Sequence, residues 1–304
     1  MAAAGGHESG ARRRGPWVAV LVIIPVVWGY NWVVMKRALA FIGPFEFAAW
    51  RYVAGAALLF AALAVAGRSI RLGLSGEALL AGLLQTAANT ALTLWALSMG
   101  PAGRSAVLCY TMPFWVLLLG WPLLGERPSR LQVVGLAAGM LGIALVFASS
   151  LGQARAGAAV LATLAGAAGA GGTVVARRAL RRHQVDALAF TAWQMLLGGL
   201  ALAAAAVVAP GRPTAWTPYL GFALFYEIVP ATAVAWVLWL ALLRHVDAGT
   251  ASLAVLATPA LGLLFGAAEL GERPAPAEGA GMALIGVALA LGGPLALRQV
   301  QRRG

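Results

Sequence analysis

Ten long apolar stretches fill most of this chain, and the segments between them are short. The stretches occupy residues 17–35, 45–66, 78–99, 103–123, 130–148, 156–175, 187–208, 218–243, 250–269 and 279–297. A helix needs about 20 apolar residues to cross the hydrocarbon core of a bilayer. The stretches are continuous rather than alternating, which favours helices over a membrane barrel. We therefore expect an all-α polytopic membrane protein with ten transmembrane helices and no separate soluble domain of ordinary size.

The positions of the basic residues predict how these helices are oriented. Hydrophobic residues make up 61% of the chain and charged residues 11%, with a formal net charge of +12. If the N-terminus is cytoplasmic, fifteen Lys and Arg residues fall on cytoplasmic segments and six on outer segments. This excess follows the positive-inside rule and predicts that both termini are cytoplasmic. Because the charges flank apolar spans, the expected surroundings are a lipid bilayer, and no nucleic-acid partner is expected.

The pentapeptide LGERP occurs twice, at Leu124 to Pro128 and at Leu270 to Pro274, 146 positions apart. Aligning the copies without gaps also pairs Pro113 with Pro259. These landmarks indicate a duplicated unit of five helices. The predicted organisation is a tail at 1–16, a first repeat at 17–148, a linker at 149–154, a second repeat at 155–297 and a tail at 298–304.

The number of helices in each repeat determines the relative orientation of the halves. Because five is odd, the second repeat enters the membrane from the opposite side, and the halves are inverted repeats. Such repeats are typical of secondary transporters, which expose a site near the midplane alternately to either side. Within LGERP the glycine can end a helix, and the Glu-Arg pair is expected to stay solvated. Glu126, Arg127, Glu272 and Arg273 are therefore interpreted as structural.

Several motifs in this order resemble a known family. They are WGYNWVVMKRAL at 28–39, the arginine of WRY at 50–52, the paired prolines and the doubled LGERP. Over about residues 17–297 the chain resembles the drug/metabolite transporter superfamily, specifically EamA-type members that export amino acids, aromatic ones included. The resemblance implies ten helices, cytoplasmic termini, a bacterial inner-membrane location and export or exchange of small metabolites. GAGGTVVARRAL replaces WGYNWVVMKRAL in the second half, which argues against a two-fold symmetric site.

Polar and aromatic side chains inside the spans are candidates for solute binding, because each must find a partner or line a cavity. Gln85, Asn89 and Thr93 recur every fourth residue and define one polar face, for which we favour a cavity. The alternative is interhelical hydrogen bonding, worth about 0.6 kcal/mol on average in membranes. The candidate substrate-binding residues are Trp28, Asn31, Gln85, Asn89, Thr93, Tyr110, Thr173, Trp193, Gln194, Glu227 and Trp236.

Two further predictions concern charge and bending. Glu227 is the one acid well inside a span, and Arg51 lies at a similar predicted depth, so we expect a buried charge pair. Coupling of proton movement to solute movement by Glu227 is a less favoured alternative. The repeat-related Pro113 and Pro259 each remove a backbone hydrogen bond inside a helix and are interpreted as paired hinges.

The sequence offers little for catalysis. Its three histidines, His7, His183 and His245, have no metal-ligand spacing, so we expect no metal, no cofactor and no enzymatic activity. Aromatic faces, amides and hydroxyls with little fixed charge suit a neutral or zwitterionic small-molecule substrate. We therefore predict a transporter of such metabolites that works by alternating access. Multidrug efflux is one alternative, and a membrane enzyme acting on lipids is another, although the latter needs a nucleophile, base or metal cluster near an interface.

Overall fold

The computed structural model describes residues 8–71, 75–125, 130–150, 156–183, 185–242, 248–277 and 279–288, and these ranges contain helices and no strand. The helices are α1 (Glu8–Ala38), α2 (Pro44–Val65), α3 (75–99), α4 (Ala102–Leu124), α5 (Arg130–Ser150), α6 (Ala156–Arg182), α7 (Ala187–Val208), α8 (Pro218–Leu242), α9 (Ala248–Leu270) and α10 (Gly279–Ala288). Three of these helices are interrupted.

Six helices are long and apolar enough to cross a membrane within the described ranges. They are α1 from Ala19 onward, α2, α4, α6, α7 and α8. Shorter apolar helices lie in α5, α9 and α10. Helix α3, which carries Gln85, Asn89 and Thr93 (the polar stripe), is not among the six. The predicted all-α membrane class is confirmed, and the count of ten crossings stays a prediction.

Helices α3 and α8 each contain a stretch of π-helix, in which the backbone hydrogen bonds span one extra residue. In α3 it runs over Gly82–Ala88, between α-helical Ser75–Ala81 and Asn89–Met99. In α8 it runs over Val229–Val234, where Pro230 has no backbone N–H to continue the α-helical pattern. A shift of 146 positions, the spacing of the LGERP copies, places residues 82–88 on 228–234. These two stretches, the π joints, therefore occupy equivalent positions in the two halves.

Helix α4 is interrupted by a turn at Tyr110 and Thr111, between α-helical Ala102–Cys109 and Met112–Leu124. Pro113 therefore lies in the first turn of the second segment. Backbone N–H groups in a first turn have no helical partner, so the missing N–H of proline removes no helical hydrogen bond there. Pro259 lies inside the uninterrupted α9. The prediction that Pro113 removes a bond from a continuous helix is wrong, because that helix ends before the proline and restarts.

The glycine of each LGERP copy ends a helix, as predicted. Gly125 and Gly271 have φ values of 69° and 66°, the left-handed conformation that closes many helices. Glu126 and Arg127 lie outside the described residues. Glu272 is only half-buried, but its carboxylate is not simply solvated: it accepts hydrogen bonds from the backbone N–H groups of Ala102 at 2.5 Å and Gly103 at 2.8 Å. The free amides and positive end of α4 provide this carboxylate with partners.

The two halves interleave rather than packing as separate bundles. Helix α1 packs along α9, and its equivalent α6 packs along α4. Helix α3 packs on α6 and α7, while α8 packs on α1 and α2. Helices α2 and α7 pack along each other. The core therefore lies between the halves, and the π joints lie within it.

Candidate functional site

A buried charged cluster lies where α1, α2 and α8 meet. Nη1 of Arg51 lies 2.8 Å from Oε2 of Glu227, and the two side chains are 11% and 0% exposed. With its amide nitrogen toward the carboxylate, Asn31 donates to Oε1 at 2.9 Å and to Oε2 at 3.2 Å. Nε of Arg51 donates to Oγ1 of Thr232, in the π joint of α8, at 3.0 Å. We call these four residues the ion-pair cluster.

The ion-pair cluster satisfies the conditions that a buried charge requires. A lone ion in a low-dielectric interior costs several kcal/mol, whereas a close pair with further hydrogen bonds offsets that cost. Both oxygens of Glu227 have donors. The Arg51 guanidinium also lies 5.0 Å from the ring centroid of Tyr52 and contacts Sδ of Met35 at 3.7 Å. The structure thus brings Arg51 and Glu227 together with formal charges that cancel.

A tryptophan group lies next to this cluster. The ring centroid of Trp28 lies 6.1 Å from that of Trp236 and 6.0 Å from that of Trp239. The indole N–H of Trp28 donates to the carbonyl of Ala231 at 3.0 Å. Ala231 belongs to the π joint of α8, where the helical hydrogen-bond register is displaced. This hydrogen bond of Trp28 therefore links α1 to the π joint of α8.

The polar stripe of α3 faces α4 and α6. Nδ2 of Asn89 donates to the carbonyl of Ala165 at 2.7 Å, and Oγ1 of Thr93 lies 3.4 Å from Sγ of Cys109. Gln85 lies so close to α6 that a Cβ built on Gly172 would be 2.7 Å from the backbone nitrogen of Gln85. These are the contacts of interhelical hydrogen bonding and close packing, the alternative interpretation of the stripe. A role for the three residues in solute binding stays a prediction.

The remaining predicted residues are more dispersed. Tyr110 forms the interruption of α4, with its ring centroid 6.4 Å from that of Trp32. Thr173 donates to the carbonyl of Gly169 in its own helix at 2.9 Å. Gln194 is buried where α7 meets α3.

Trp193 lies apart from the other candidate residues. Its indole N–H donates to the carbonyl of Ile70, in the connection between α2 and α3, at 2.8 Å. Its ring centroid lies 5.1 Å from that of Phe60. The structure therefore places Trp193 at the end of the bundle that holds this connection, away from the ion-pair cluster.

Apart from Tyr110 on α4, the predicted substrate-binding and charge-pair residues fall into two groups on repeat-equivalent helices. One group lies on α1, α2 and α8, and the other on α6, α7 and α3. Matching the helix starts Pro44 and Ala187 gives a shift of 143 positions and pairs Arg51 with Gln194. The LGERP shift pairs Glu227 with Ala81. The charged pair therefore exists in one group and has no charged equivalent in the other.

Sequence reasoning missed Thr232, the hydrogen-bond acceptor for Arg51. The signal was present in the repeat, because a shift of 146 positions pairs Thr232 with Thr86 and both are threonines. Each contacts a glycine of the other half. A Cβ built on Gly55 would lie 2.7 Å from Cγ2 of Thr232, and one built on Gly198 would lie 2.5 Å from Cβ of Thr86.

A cavity of about 430 Å³ opens near the C-terminal end of α1, and none of the four residues of the ion-pair cluster lines it. Lys36 and Arg212 line it together with the end of α3. Lys36 donates to the carbonyls of Leu97 and Gly100, and Arg212 to those of Leu39 and Ala40. Both cations are therefore engaged with backbone groups. Among the described residues, no three His, Cys, Asp or Glu side chains are grouped to hold a metal ion.

Interleaved helical halves with equivalent interruptions around buried polar side chains define a multi-pass membrane protein of the transporter class. The comparison of sequences gives the family. The chain belongs to the EamA-like transporter family, which matches it twice, over residues 15–148 and 157–292.

Individual relatives agree with this assignment. The chain is 26% identical over 260 residues to "Uncharacterized transporter YoaV" of Bacillus subtilis (strain 168), covering 83% of this chain and 88% of that protein. It is 27% identical over 285 residues to "Probable amino-acid metabolite efflux pump" of Salmonella typhimurium (strain LT2), covering 90% and 92%. A solved crystal structure with 19% identity matches with a TM-score of 0.65 over 94% of this chain and 99% of that chain, which supports the fold alone.

Proposed function

We propose that this protein is a secondary transporter of the bacterial inner membrane that exports or exchanges small neutral or zwitterionic metabolites. Amino acids, including aromatic ones, are the proposed substrates. Family membership supports transport, and the relative described as a probable amino-acid metabolite efflux pump supports the substrate class. The observation that carries the proposal is the pair of π joints, which gives both halves the same point of bending beside buried polar side chains.

The contacts of the joints support the proposed alternating access. Each joint packs against the other half through a threonine and a glycine, Thr232 with Gly55 and Thr86 with Gly198. π-helical stretches interrupt the α-helical pattern and are common at functional sites. Bending at one joint would open a path on one side of the membrane, and bending at the other would open the opposite side.

The proposed topology has ten crossings, two inverted five-helix repeats and both termini in the cytoplasm. In that arrangement the start of α4 and the connection after α9 lie on the same, outer side. The hydrogen bonds of Glu272 to Ala102 and Gly103 join these two segments, which supports the arrangement.

Flux measurements in liposomes test the proposal. Purified protein is reconstituted in liposomes loaded with unlabelled amino acids, and uptake of each labelled amino acid is followed by counterflow, with protein-free liposomes as the control. Uptake of a chemically unchanged solute is expected. A modified lipid or solute would instead support the enzyme hypothesis. Uptake of tetraphenylphosphonium, a permanently cationic drug analogue, without uptake of amino acids would support multidrug efflux.

A further inference from the structure

Arg51 has more hydrogen-bond donors than the ion-pair cluster uses. A guanidinium carries five N–H donors. Nη1 contacts Glu227 and Met35, and Nε contacts Thr232, so these contacts among the described residues do not use Nη2. Arg51 keeps 11% of its side chain exposed, whereas Glu227 has 0%. The side chain of Arg51 is therefore partly exposed, whereas that of Glu227 is enclosed.

The Nη2 arm of the guanidinium suits a carboxylate. Arginine presents its N–H groups in a planar fork that matches the two oxygens of a carboxylate. Glu227, Thr232 and Tyr52 already fix the position of the guanidinium through the ion pair, the hydrogen bond and the ring contact. A carboxylate that approaches Nη2 therefore meets a donor that is already oriented.

Charge balance restricts which carboxylates can bind. The ion-pair cluster has no net formal charge, so a bound monoanion would leave one uncompensated negative charge and a bound monocation one uncompensated positive charge. Uncompensated charges inside a membrane protein are costly. A zwitterion adds no net charge. Its ammonium would lie in the field of the Glu227 carboxylate.

The second half offers no competing charged site. The positions equivalent to Arg51 and Glu227 are Gln194 and Ala81, and Gly172 replaces Asn31 when GAGGTVVARRAL is aligned with WGYNWVVMKRAL. Within the part of the chain that the structure describes, the cluster on α1, α2 and α8 therefore has no charged counterpart at the equivalent positions of the second half. A substrate with a single carboxylate would bind with a fixed orientation.

We propose that Nη2 of Arg51 binds the carboxylate of a zwitterionic solute, while Glu227, held by Arg51 and Asn31, balances the ammonium of that solute. This inference rests on the proposed transport function and narrows its substrate class to amino acids and related zwitterions. Simple monocarboxylates and amines of the same shape are excluded by the charge they would leave in the site.

Competition experiments test the inference at constant pH 7. For every amino acid that shows counterflow, two analogues are added as competitors: the amine that lacks the carboxylate and the acid that lacks the amine. For phenylalanine these are phenethylamine and 3-phenylpropanoate. Each analogue is expected to need a concentration about tenfold higher or more for half-inhibition than the unlabelled amino acid.

A neutral double variant tests the residues. Arg51→Gln with Glu227→Gln removes both charges without leaving either one unpaired, and the preference for the amino acid over phenethylamine is expected to disappear. Size-exclusion elution and thermal unfolding check that the variant is folded. The matched control is Arg68→Gln with Asp186→Asn, which removes another ion pair far from the cluster and should keep the preference.

The possible outcomes separate the two proposals. Phenethylamine competing as well as phenylalanine with the wild-type protein would overturn the inference, whatever the folding of the variant. An unchanged preference in the folded double variant would also overturn it. Counterflow of amines or simple acids without any zwitterion would preserve transport and reject the inference. No flux of any solute in the panel would reject both.

Discussion

Charged residues near the ends of the bundle bind the free backbone groups of helix termini. Asp186 accepts hydrogen bonds from the N–H groups of Leu188 at 2.8 Å and Ala189 at 3.1 Å, at the start of α7. Glu272 does the same at the start of α4. Lys36 donates to carbonyls at the end of α3, including that of Gly100 at 2.8 Å. Each sign of charge matches the helix end it contacts.

Acidification should destabilise the start of α7. Burial raises the pKa of Asp186, but hydrogen bonds from Ala189, Arg68 and Leu188 outweigh burial and hold the pKa below its usual range. A lowered native pKa stabilises the folded state above the unfolded value of about 3.9, and this stabilisation is lost as pH falls through the native value. We expect the melting temperature in detergent to drop below about pH 4, with a smaller drop for Asp186→Asn. Equal acid sensitivity in both proteins would contradict this assignment.

The cap on α4 should matter for stability. Glu272→Ala removes the acceptor for two amide groups and is expected to cost about 1 kcal/mol, the usual loss for a capping side chain. Glu272→Gln keeps one acceptor oxygen and should cost less. Chemical unfolding of the purified protein measures both effects. Arg273→Ala, at the exposed neighbouring position, is the control and should change stability little.

The buried ion pair and the helix caps differ in how far they could be predicted from sequence. Arg51 and Glu227 could be matched because two spans that enter from the same side carry opposite charges at similar depths. The Glu272 contact could not be predicted, because it depends on where two connections far apart in sequence come together. Thr232 was overlooked although the repeat pairs it with Thr86, because a threonine inside an apolar helix usually bonds to its own backbone.

Helix α3 shows what hydrophobic periodicity cannot detect. Gln85, Asn89 and Thr93 were predicted to share one face from α-helical spacing, but the π joint over Gly82–Ala88 changes that spacing at its start. A helical turn that holds one extra residue changes neither the amino-acid composition of the helix nor the length of its apolar stretch. The all-helical membrane class and six of the spans were therefore predictable from sequence, whereas the π joints and the interruption of α4 were not.

At the π joint of α8, a second substitution should compensate for the loss of stability caused by a first one. In Gly55→Ala the new Cβ would lie 2.7 Å from Cγ2 of Thr232, and overpacking of this kind typically costs about 1–3 kcal/mol. Thr232→Ser removes that methyl group and keeps the hydroxyl that accepts from Arg51. The double variant Gly55→Ala with Thr232→Ser is expected to recover thermal stability and flux. No recovery would show that another contact limits this position.

The equivalent substitution in the other half provides the contrast. A Cβ on Gly198 would meet the backbone oxygen of Gly82 and lie 2.5 Å from Cβ of Thr86. Neither atom is removed by Thr86→Ser. Gly198→Ala should therefore remain destabilised in the double variant, and full recovery by Thr86→Ser would refute the described packing.

At the scale of the whole molecule, the halves share geometry but not charge. Helix packing and the π joints repeat, while Arg51, Glu227 and Asn31 of the ion-pair cluster do not. The repeat of LGERP predicted the first property, and the loss of WGYN in the second half predicted the asymmetry. The relative orientation of the halves in a membrane is the part that labelling can test.

Cysteine labelling tests the inverted topology. In a Cys109→Ser background, a cysteine at the exposed Ala275 should react with a membrane-impermeant maleimide added to intact spheroplasts. A cysteine at the exposed Ala66 should react only after permeabilisation. Both positions lie beside helix ends and are open to solvent, so they form a matched pair. Labelling of both from the outside would reject the five-plus-five arrangement.

The cancelling charges of Arg51 and Glu227 have a consequence for the energy source. Moving one elementary charge through a membrane potential of 100 mV involves about 2.3 kcal/mol of electrical work. A pair that stays neutral, whether empty or holding a zwitterion, carries no net charge through that field. Such a carrier would be driven by the concentration ratio of its solute, and a voltage imposed with valinomycin and potassium would neither accelerate nor oppose it.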